Sequence, residues 1–381
     1  MFNLLNMCIK KKKSISFLLG AGFSVNAGYP TGNELGKKIL FTTAERVMTS
    51  FKNFYNEYDS NRYYVYFLEE ILTTLKNTQE YFNYEIFYDR IKTDRTRFDK
   101  ELKAIFQSFR AKYKDSPKEN LNDYLFQLDE IYNLLVALYI KDTIPNVFCR
   151  DYYKKIVDLI ISLNQDYIIN VHTLNHDLLF EDLLGNGNYT DGFTKLNSGY
   201  YENIYHGTIP FYANDYSSSS IRLYKLHGSI DYFRTLKTYD PNQVHNYIKL
   251  PQSVCRRDVR YKNDRCIYDL HPDFLTGINF KQTRYNEKFY EDLHNIFVSN
   301  LKTADKLIII GYSGNDKGIN KHIRKKLDKN ASCFVIDRSK NEAQNVIDRI
   351  WPCYKRKNKY AVSSNLENVK LSDFDESTYR N

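Results

Sequence analysis

The sequence lacks closely spaced cysteines. Its six cysteines are isolated from one another and form no CxxC pair; they are Cys8, Cys149, Cys255, Cys266, Cys333 and Cys353. Structural zinc sites usually draw their ligands from cysteine pairs, and small secreted domains are usually held by a dense disulfide framework. We therefore expect reduced thiols, no metal site and a cytoplasmic protein.

Long apolar runs are also absent. No stretch approaches the roughly 20 apolar residues that a membrane-spanning helix needs. The basic block 10–13 followed by the apolar residues 15–19 resembles the start of a secretion signal, but the apolar run ends at Gly20. We expect no association with a membrane.

The charge is moderate and spread along the chain. Lysine and arginine total 55 against 46 acidic residues, a net charge of +9, which permits contact with nucleic acid without requiring it. A chain of 381 residues can form one large domain with an insertion, or two domains.

Short apolar runs alternate with helical patterns in most of the chain. Five runs read as strands, namely residues 15–19, 167–171, 223–226, 306–310 and 332–336. Strands that alternate with helices indicate a parallel sheet covered on both faces. The predicted fold is therefore α/β, a Rossmann-like doubly wound sheet.

Two interruptions divide this pattern. Aromatic residues and leucines at helical spacing, clearest over 121–140, fill a segment without a convincing strand. A second segment is irregular and rich in charge and proline. We predict a discontinuous Rossmann domain, two inserts and a polar C-terminal tail, with boundaries at 14–40 plus 150–350 for the domain, 41–149 for the helical insertion, 232–284 for the irregular insert and 359–381 for the tail.

A glycine turn follows the first strand, in the stretch ISFLLGAGFSVNAGYP. Glycines at such a turn let backbone amides approach a phosphate, and the helix that follows favours an anion. The third glycine of the usual dinucleotide fingerprint is missing. A tight turn without a ligand is the alternative interpretation.

Small or polar residues follow all five predicted strands. They are GAGFS at 20–24, HTLNHD at 172–177, HGS at 227–229, GYSGND at 311–316, and Asp337 with Arg338. Ligands of open α/β sheets bind beyond the carboxyl ends of the strands. The five loops together predict a nucleotide site.

The order of these motifs resembles the sirtuin superfamily. The matching segments are GAGFSVNAGYP at 20–30, TLNHD at 173–177, KLHGS at 225–229 and GYSGND at 311–316. The phrases KLHGSIDYF and IIIGYSGNDKGIN look more like the prokaryotic sirtuin-like proteins that degrade NAD in antiphage defence. That resemblance implies a hydrolase that converts NAD to nicotinamide and ADP-ribose, depleting NAD once activated.

The resemblance also implies which residues meet NAD. The residues expected to bind it are Gly20, Ala21, Gly22, Phe23, Ser24, Thr173, Gly311, Tyr312, Ser313 and Asp337. The first turn would meet the diphosphate, and the later motifs the adenosine half. The residues expected to act in catalysis are Asn175, Asp177 and His227, around the nicotinamide ribose.

These residue types suit cleavage of the bond between nicotinamide and ribose. Asn175 can orient the ribose or a water, and His227 can take up a proton near neutral pH. Asp177 would stabilise positive charge or hold Asn175, although it could equally cap the helix that follows. A metal site of His172 and His176 is disfavoured, since the strand should end there.

Two departures from the deacylase pattern favour water as the acceptor. Residues 31–35 read TGNEL where a deacylase has an aromatic residue and an arginine, and the paired-cysteine zinc module is missing. The implied partners are further copies of the chain and a separate activator, a HerA-type ATPase or, second, an Argonaute-like protein. An NAD- or ADP-ribose-sensing subunit, a nucleic-acid-processing protein and a deacylase remain as alternatives.

Overall fold

A computed structural model describes residues 13–54, 62–78, 82–93, 100–143, 149–194, 201–203, 207–237, 246–250, 259–261, 265–267, 271–352 and 356–379. The strands among them are β1 (Lys13–Leu19), β2 (Tyr167–Thr173), β3 (Gly192–Phe193), β4 (Tyr201–Asn203), β5 (Gly207–Thr208), β6 (Tyr212–Asp215), β7 (Ile221–Lys225), β8 (Tyr232–Lys237), β9 (Asn246–Lys249), β10 (Val259–Tyr261), β11 (Arg265–Ile267), β12 (Lys306–Ile310), β13 (Ser332–Asp337) and β14 (Lys359–Ser363).

The helices lie between and after these strands. They are α1 (Gly32–Leu40), α2 (Ala44–Phe54), α3 (Arg62–Thr78), α4 (Tyr84–Thr93), α5 (Lys100–Lys112), α6 (Leu121–Lys141), α7 (Cys149–Leu163), α8 (Leu179–Leu184), α9 (Phe280–Arg284), α10 (Lys288–Thr303), α11 (Lys317–Lys326) and α12 (Lys340–Ile350). No helix in these ranges is both long and apolar enough to cross a membrane.

A parallel sheet of six strands forms the centre of the protein. Its order is β14-β13-β12-β1-β2-β7, and every neighbouring pair is parallel. The chain starts in the middle, moves out to β7, and then crosses back to build β12, β13 and β14. This reversal beside β1 is the topological switch point of a doubly wound sheet. The predicted fold class is confirmed.

The sheet carries apolar side chains on both faces. Phe17 and Leu19 of β1 belong to one core cluster, which includes α3, α4, α6 and α7. Leu18, which points the other way, belongs to a second cluster with α10, α11 and α12. Alternation along β1 thus buries both faces, as the near-continuous apolar run SISFLL requires.

The segment after Asn358 extends the sheet. We predicted a polar tail beyond the domain from residue 359, but Lys359–Ser363 forms β14, paired in parallel with β13. Val362 is buried in the core cluster that contains Phe17. The tail prediction was wrong for these residues because a short edge strand needs only one or two buried side chains.

The helical insertion packs against one face of the sheet. Its central helix α6 begins at a capping box, in which Asn120 accepts from the Asp123 amide and Asp123 accepts from the Asn120 amide. Most of α6 is buried, which accounts for its nearly continuous apolar stripe. The irregular insert contains β8 to β11 in small antiparallel sheets where it is described. The domain boundaries at 41–149 and 232–284 stay predictions.

Candidate active site

A cavity of about 1010 Å³ lies at the carboxyl edge of the parallel sheet. Its wall includes a residue that follows each of the five strands from β13 to β7. The predicted site residues that line it are Gly20, Ala21, Gly22, Asn175, His227, Gly311, Tyr312, Ser313 and Asp337. Its size is at the upper end of the usual range for ligand pockets, about 300–1,000 Å³.

The strand order arranges these residues in a row. Asp337 ends β13, whereas Gly311 follows β12, Gly20 follows β1, Asn175 follows β2 and His227 follows β7. Neighbouring strands are about 4.8 Å apart, so four spacings separate the ends of the row by roughly 19 Å. The site is therefore elongated, with a carboxylate at one end and an imidazole at the other.

Two glycine turns meet in the middle of the row. A Cβ added to Gly20 would lie 2.6 Å from the Gly311 carbonyl oxygen, and one added to Gly22 would lie 2.8 Å from the Gly311 Cα. Gly311 has a φ of +64°. The glycines are thus required because the turns pack backbone to backbone.

Most amides of the first turn are used within the protein. Gly20 N donates to the Ile310 carbonyl at 3.0 Å, and Gly22 N donates to the Gly311 carbonyl at 2.8 Å. Among the described residues we find no acceptor for the Ala21 amide, and Ala21 is exposed at the cavity wall. A phosphate can therefore meet the Ala21 amide, but not the row of free amides that we expected from the glycines.

Asn175 is tied to this turn by its side chain. Its Nδ2 donates to the Gly20 carbonyl oxygen and to Ser24 Oγ, both at 3.0 Å. Its backbone amide donates to Thr173 Oγ1 at 3.0 Å. These contacts hold the Asn175 amide group rigidly at the cavity wall.

Some predicted site residues lie behind the wall. Phe23, Ser24, Thr173 and Asp177 are buried and do not line the cavity. Phe23 packs on Tyr153 with ring centroids 5.1 Å apart, so its side chain belongs to the core. Ser24 and Thr173 hold Asn175. Their contact with NAD stays a prediction, since none of the four lines the cavity.

Asp177 has the structural role that we left open for it. Its Oδ1 accepts from the Leu179 amide at 3.0 Å and so caps the start of α8. Burial raises its pKa, against the opposing charge of Lys225 and a hydrogen bond with Ser24. Because Ser24 also accepts from Asn175, Asp177 acts on Asn175 only through Ser24.

His227 faces the cavity at the far end of the row. Its Nε2 lies 3.1 Å from the Tyr285 hydroxyl and 3.6 Å from Asp316 Oδ2. Burial lowers the pKa of His227 well below its ordinary value, and the Lys281 charge lowers it further, against the Asp316 carboxylate. The imidazole is therefore neutral near pH 7 and able to accept a proton.

Three charged residues near His227 were not predicted as site residues. Asp316, Lys281 and Glu85 all line the cavity. Asp316 ends the GYSGND motif and caps α11, its Oδ1 accepting from the Gly318 and Ile319 amides at 2.9 and 3.0 Å. The motif could have identified Asp316. Lys281 and Glu85 come from the two inserts and carry no local pattern.

The other end of the cavity carries two carboxylates, Asp337 and Glu342, with Arg338 and Arg349 also in its wall. Asp337 is half-buried, and its pKa is raised by burial and by Glu342, which also lines the cavity. Asp337 Oδ1 accepts from the Arg338 amide at 2.7 Å. Tyr312 donates from its hydroxyl to Asn320 Oδ1 at 2.8 Å. A carboxylate at this end suits the hydroxyls of a ribose.

The remaining histidines of the second motif are not exposed to the cavity. His172 is buried and stacks on Tyr224 with centroids 4.9 Å apart. Burial lowers the pKa of both His172 and His176 to about 3. No group of three or more candidate metal ligands is found in the described part of the chain.

Comparison with known proteins shows that part of this chain is similar to a family described as a SIR2-like domain. Residues 170–358 match the family described by that name. The curated proteins contain no match. Similar solved structures include a Sir2 homologue complexed with NAD, at 11% identity and a TM-score of 0.39, covering 94% of this chain and 86% of that one. A mutant Sir2 homologue complexed with ADP-ribose has 12% identity and a TM-score of 0.38, covering 96% of this chain and 92% of that one.

Proposed function

We propose that the protein hydrolyses NAD to nicotinamide and ADP-ribose. A SIR2-like domain indicates that NAD is bound or used. The observation that carries the proposal is the row from Asp337 through Gly311, Gly20 and Asn175 to His227 along one cavity. Such a row offers a ribose-binding carboxylate, a diphosphate contact at Ala21 and a neutral base in the order that an extended dinucleotide requires.

The reaction balances with water as the acceptor. The bond between ribose C1′ and the nicotinamide nitrogen breaks, and its electron pair neutralises the pyridinium nitrogen. A water oxygen forms the new bond to C1′ and loses a proton. His227, neutral at pH 7, accepts that proton directly or from a ribose hydroxyl, while the Asn175 amide orients the ribose or the water.

The motifs also support a place in antiphage defence. An uncontrolled NAD hydrolase would kill its own cell, so the proposal includes a regulator, for which a HerA-type ATPase is favoured over an Argonaute-like protein. Assembly of several copies through the helical insertion would gate the site. This part of the proposal rests on the phrases KLHGSIDYF and IIIGYSGNDKGIN.

The test is NAD consumption by the purified chain, alone and with the product of its neighbouring gene. Nicotinamide is measured by chromatography, with His227→Ala as the inactive variant. His322→Ala is the matched control, because His322 lies on α11 and does not line the cavity. Nicotinamide release that His227→Ala abolishes and His322→Ala preserves would support the hydrolase.

The opposite result would identify a different class of protein. If NAD binds, as measured by calorimetry, but is not consumed under either condition, the chain is a sensing or scaffold subunit of a DNA-processing complex. The hydrolase proposal would then be wrong.

A further inference from the structure

Lys281 is a buried cation between the helical insertion and the predicted catalytic histidine. Its Nζ lies 3.2 Å from Glu85 Oε1 on α4 and 3.5 Å from Asp316 Oδ2 at the start of α11. Only 11% of its side chain is exposed. A buried ammonium needs paired carboxylates, and these two raise the pKa of Lys281 although burial opposes them.

The helix that carries Lys281 is held by the same insertion. Asp89 of α4 accepts hydrogen bonds from the backbone amides of Ile278, Asn279 and Phe280, at 3.1, 2.7 and 3.0 Å. Phe280 is the first residue of α9, and Ile278 and Asn279 directly precede it. Gly277 precedes them with a φ of +91°, and a Cβ there would lie 2.3 Å from Asp89 Oδ1. The Asp89 carboxylate therefore fixes the position of α9 relative to α4.

Asp316 connects Lys281 to His227. The same oxygen, Oδ2, lies 3.5 Å from Lys281 Nζ and 3.6 Å from His227 Nε2. Besides these two groups, His176, His294 and the Tyr285 hydroxyl surround the imidazole. A single carboxylate, that of Asp316, therefore lies between the Lys281 ammonium and the His227 imidazole.

We propose that Lys281 is a positioning residue that couples the helical insertion to His227, with Asp316 between them and with Glu85 and Asp89 holding Lys281 and its helix. This inference rests on the proposed function, since it assigns regulation to the same site. A movement of α4 would withdraw Lys281 and change both the charge and the orientation of the His227–Asp316 pair. The insertion is thereby a means of switching the site.

The direct test follows the protonation of His227 and needs no turnover. NMR titration of the labelled imidazole, assigned by its loss in His227→Gln, is made on the wild type, Lys281→Met and Lys281→Arg. The Lys281 charge lowers the pKa of His227, so its removal in Lys281→Met should move the His227 midpoint to higher pH. Lys281→Arg keeps the charge and should restore a midpoint close to the wild type.

The insertion is tested through Asp89. Asp89→Asn replaces an acceptor oxygen by an amide donor that cannot accept from α9, and it should move the His227 midpoint in the same direction. Asp115→Asn is the matched control, because Asp115 is exposed on a loop of the insertion. A His227 midpoint unchanged in Lys281→Met would overturn the coupling, and one unchanged only in Asp89→Asn would overturn the role of the insertion.

Activity measurements separate this inference from the proposed function. If the wild type releases nicotinamide, Lys281→Met should lower kcat on the order of ten- to hundredfold with little change in KM. The acid limb of the pH–rate profile of this variant should move to higher pH. If the wild type releases none while the His227 midpoint still moves, the coupling holds and the hydrolase fails. If Lys281→Met has a kcat and a pH–rate profile like those of an active wild type, the coupling is wrong and the hydrolase proposal is unaffected.

Discussion

The side chain of Asn175 donates to the backbone carbonyl of Gly20, across the gap between the ends of β2 and β1. The same Nδ2 also donates to Ser24. The amide is therefore part of the framework that shapes the glycine turn, as well as a group on the cavity wall. A change at this position affects the turn and the predicted ribose contact together.

Asn175→Asp should be more damaging than its size suggests. A carboxylate has no proton to donate to the Gly20 carbonyl and would oppose it with negative charge. We expect a loss of about 1–3 kcal/mol in the free energy of unfolding and a fall in NAD turnover of about hundredfold or more. Urea unfolding and nicotinamide release measure the two effects.

Ser24→Ala is the milder control for Asn175, because it removes one acceptor and leaves the Gly20 contact in place. Turnover in Ser24→Ala should stay well above that of Asn175→Asp. Equal losses in the two variants would show that the Gly20 contact has no separate importance.

Gly311→Ala should separate the two glycine turns. Its added Cβ would lie 2.1 Å from the Phe23 amide nitrogen, in addition to the strain of a φ of +64°. Gly187→Ala provides the matched control, since Gly187 has a φ of +97° but no atom within 4 Å of the added Cβ. Strain alone costs about 1–2 kcal/mol.

The difference in the free energy of unfolding between Gly311→Ala and Gly187→Ala, measured in urea, gives the cost of disturbing the contact between the two turns. We expect Gly311→Ala to be the less stable and to bind NAD more weakly in calorimetry, while Gly187→Ala binds it normally. Equal stability and equal binding would mean that the turns can move apart without cost.

A buried acid near the site should govern stability at low pH. Asp273 accepts from Arg284 at 2.9 and 3.1 Å and from the Tyr290 hydroxyl at 2.8 Å. Although burial opposes it, Arg284 and Arg234 hold the pKa of Asp273 well below its ordinary value. The pKa of Asp273 is lower in the folded protein than in the unfolded chain, where it is about 3.9. The ionised carboxylate therefore stabilises the fold above that pH, and this stabilisation is lost as the pH falls toward the folded pKa.

Asp273→Asn should therefore destabilise the protein by up to about 3–5 kcal/mol at pH 7, because it removes the fully buried carboxylate that pairs with Arg284 and leaves only the more exposed Glu287. The difference from the wild type should shrink as the pH falls below about 4. Glu287→Gln, which removes a more exposed partner of Arg284, should cost about 1 kcal/mol or less. A constant difference for Asp273→Asn at all pH values would contradict the assignment.

Asp337→Asn tests the adenosine end of the cavity. If its carboxylate binds the ribose hydroxyls equally in substrate and transition state, KM for NAD should rise about tenfold, about 1.4 kcal/mol, with kcat unchanged. Asp348→Asn, on the exposed side of α12, should behave as the wild type. A fall in kcat without a change in KM would place Asp337 elsewhere in the mechanism.

The central sheet was predictable because its strands are buried on both faces. Runs such as KLIII and SCFVI leave little alternative to a covered parallel strand, and all five predictions agree with β1, β2, β7, β12 and β13 within two residues at each end. The third, at 223–226, begins two residues late and ends one late against β7. The edge strand β14 was missed because KYAVS contributes few buried side chains.

The site was predictable only where one loop carries the chemistry. Asn175 and His227 follow strands directly, so motif and topology bring them to one edge. Glu85 and Lys281 are 196 positions apart and meet through packing of the two inserts, which no local pattern records. Phe23 illustrates the converse, since it stands inside a motif but belongs to the core.

The central position of β1 has a consequence for synthesis of the protein. Residues 15–19 pair with residues 306–310, so β1 acquires one neighbour only after most of the chain has been made. Contacts of such long sequence separation form late in folding. Because Gly20 and Gly311 must meet to shape the cavity, a nascent chain that ends before β12, or one truncated there, should lack the complete cavity.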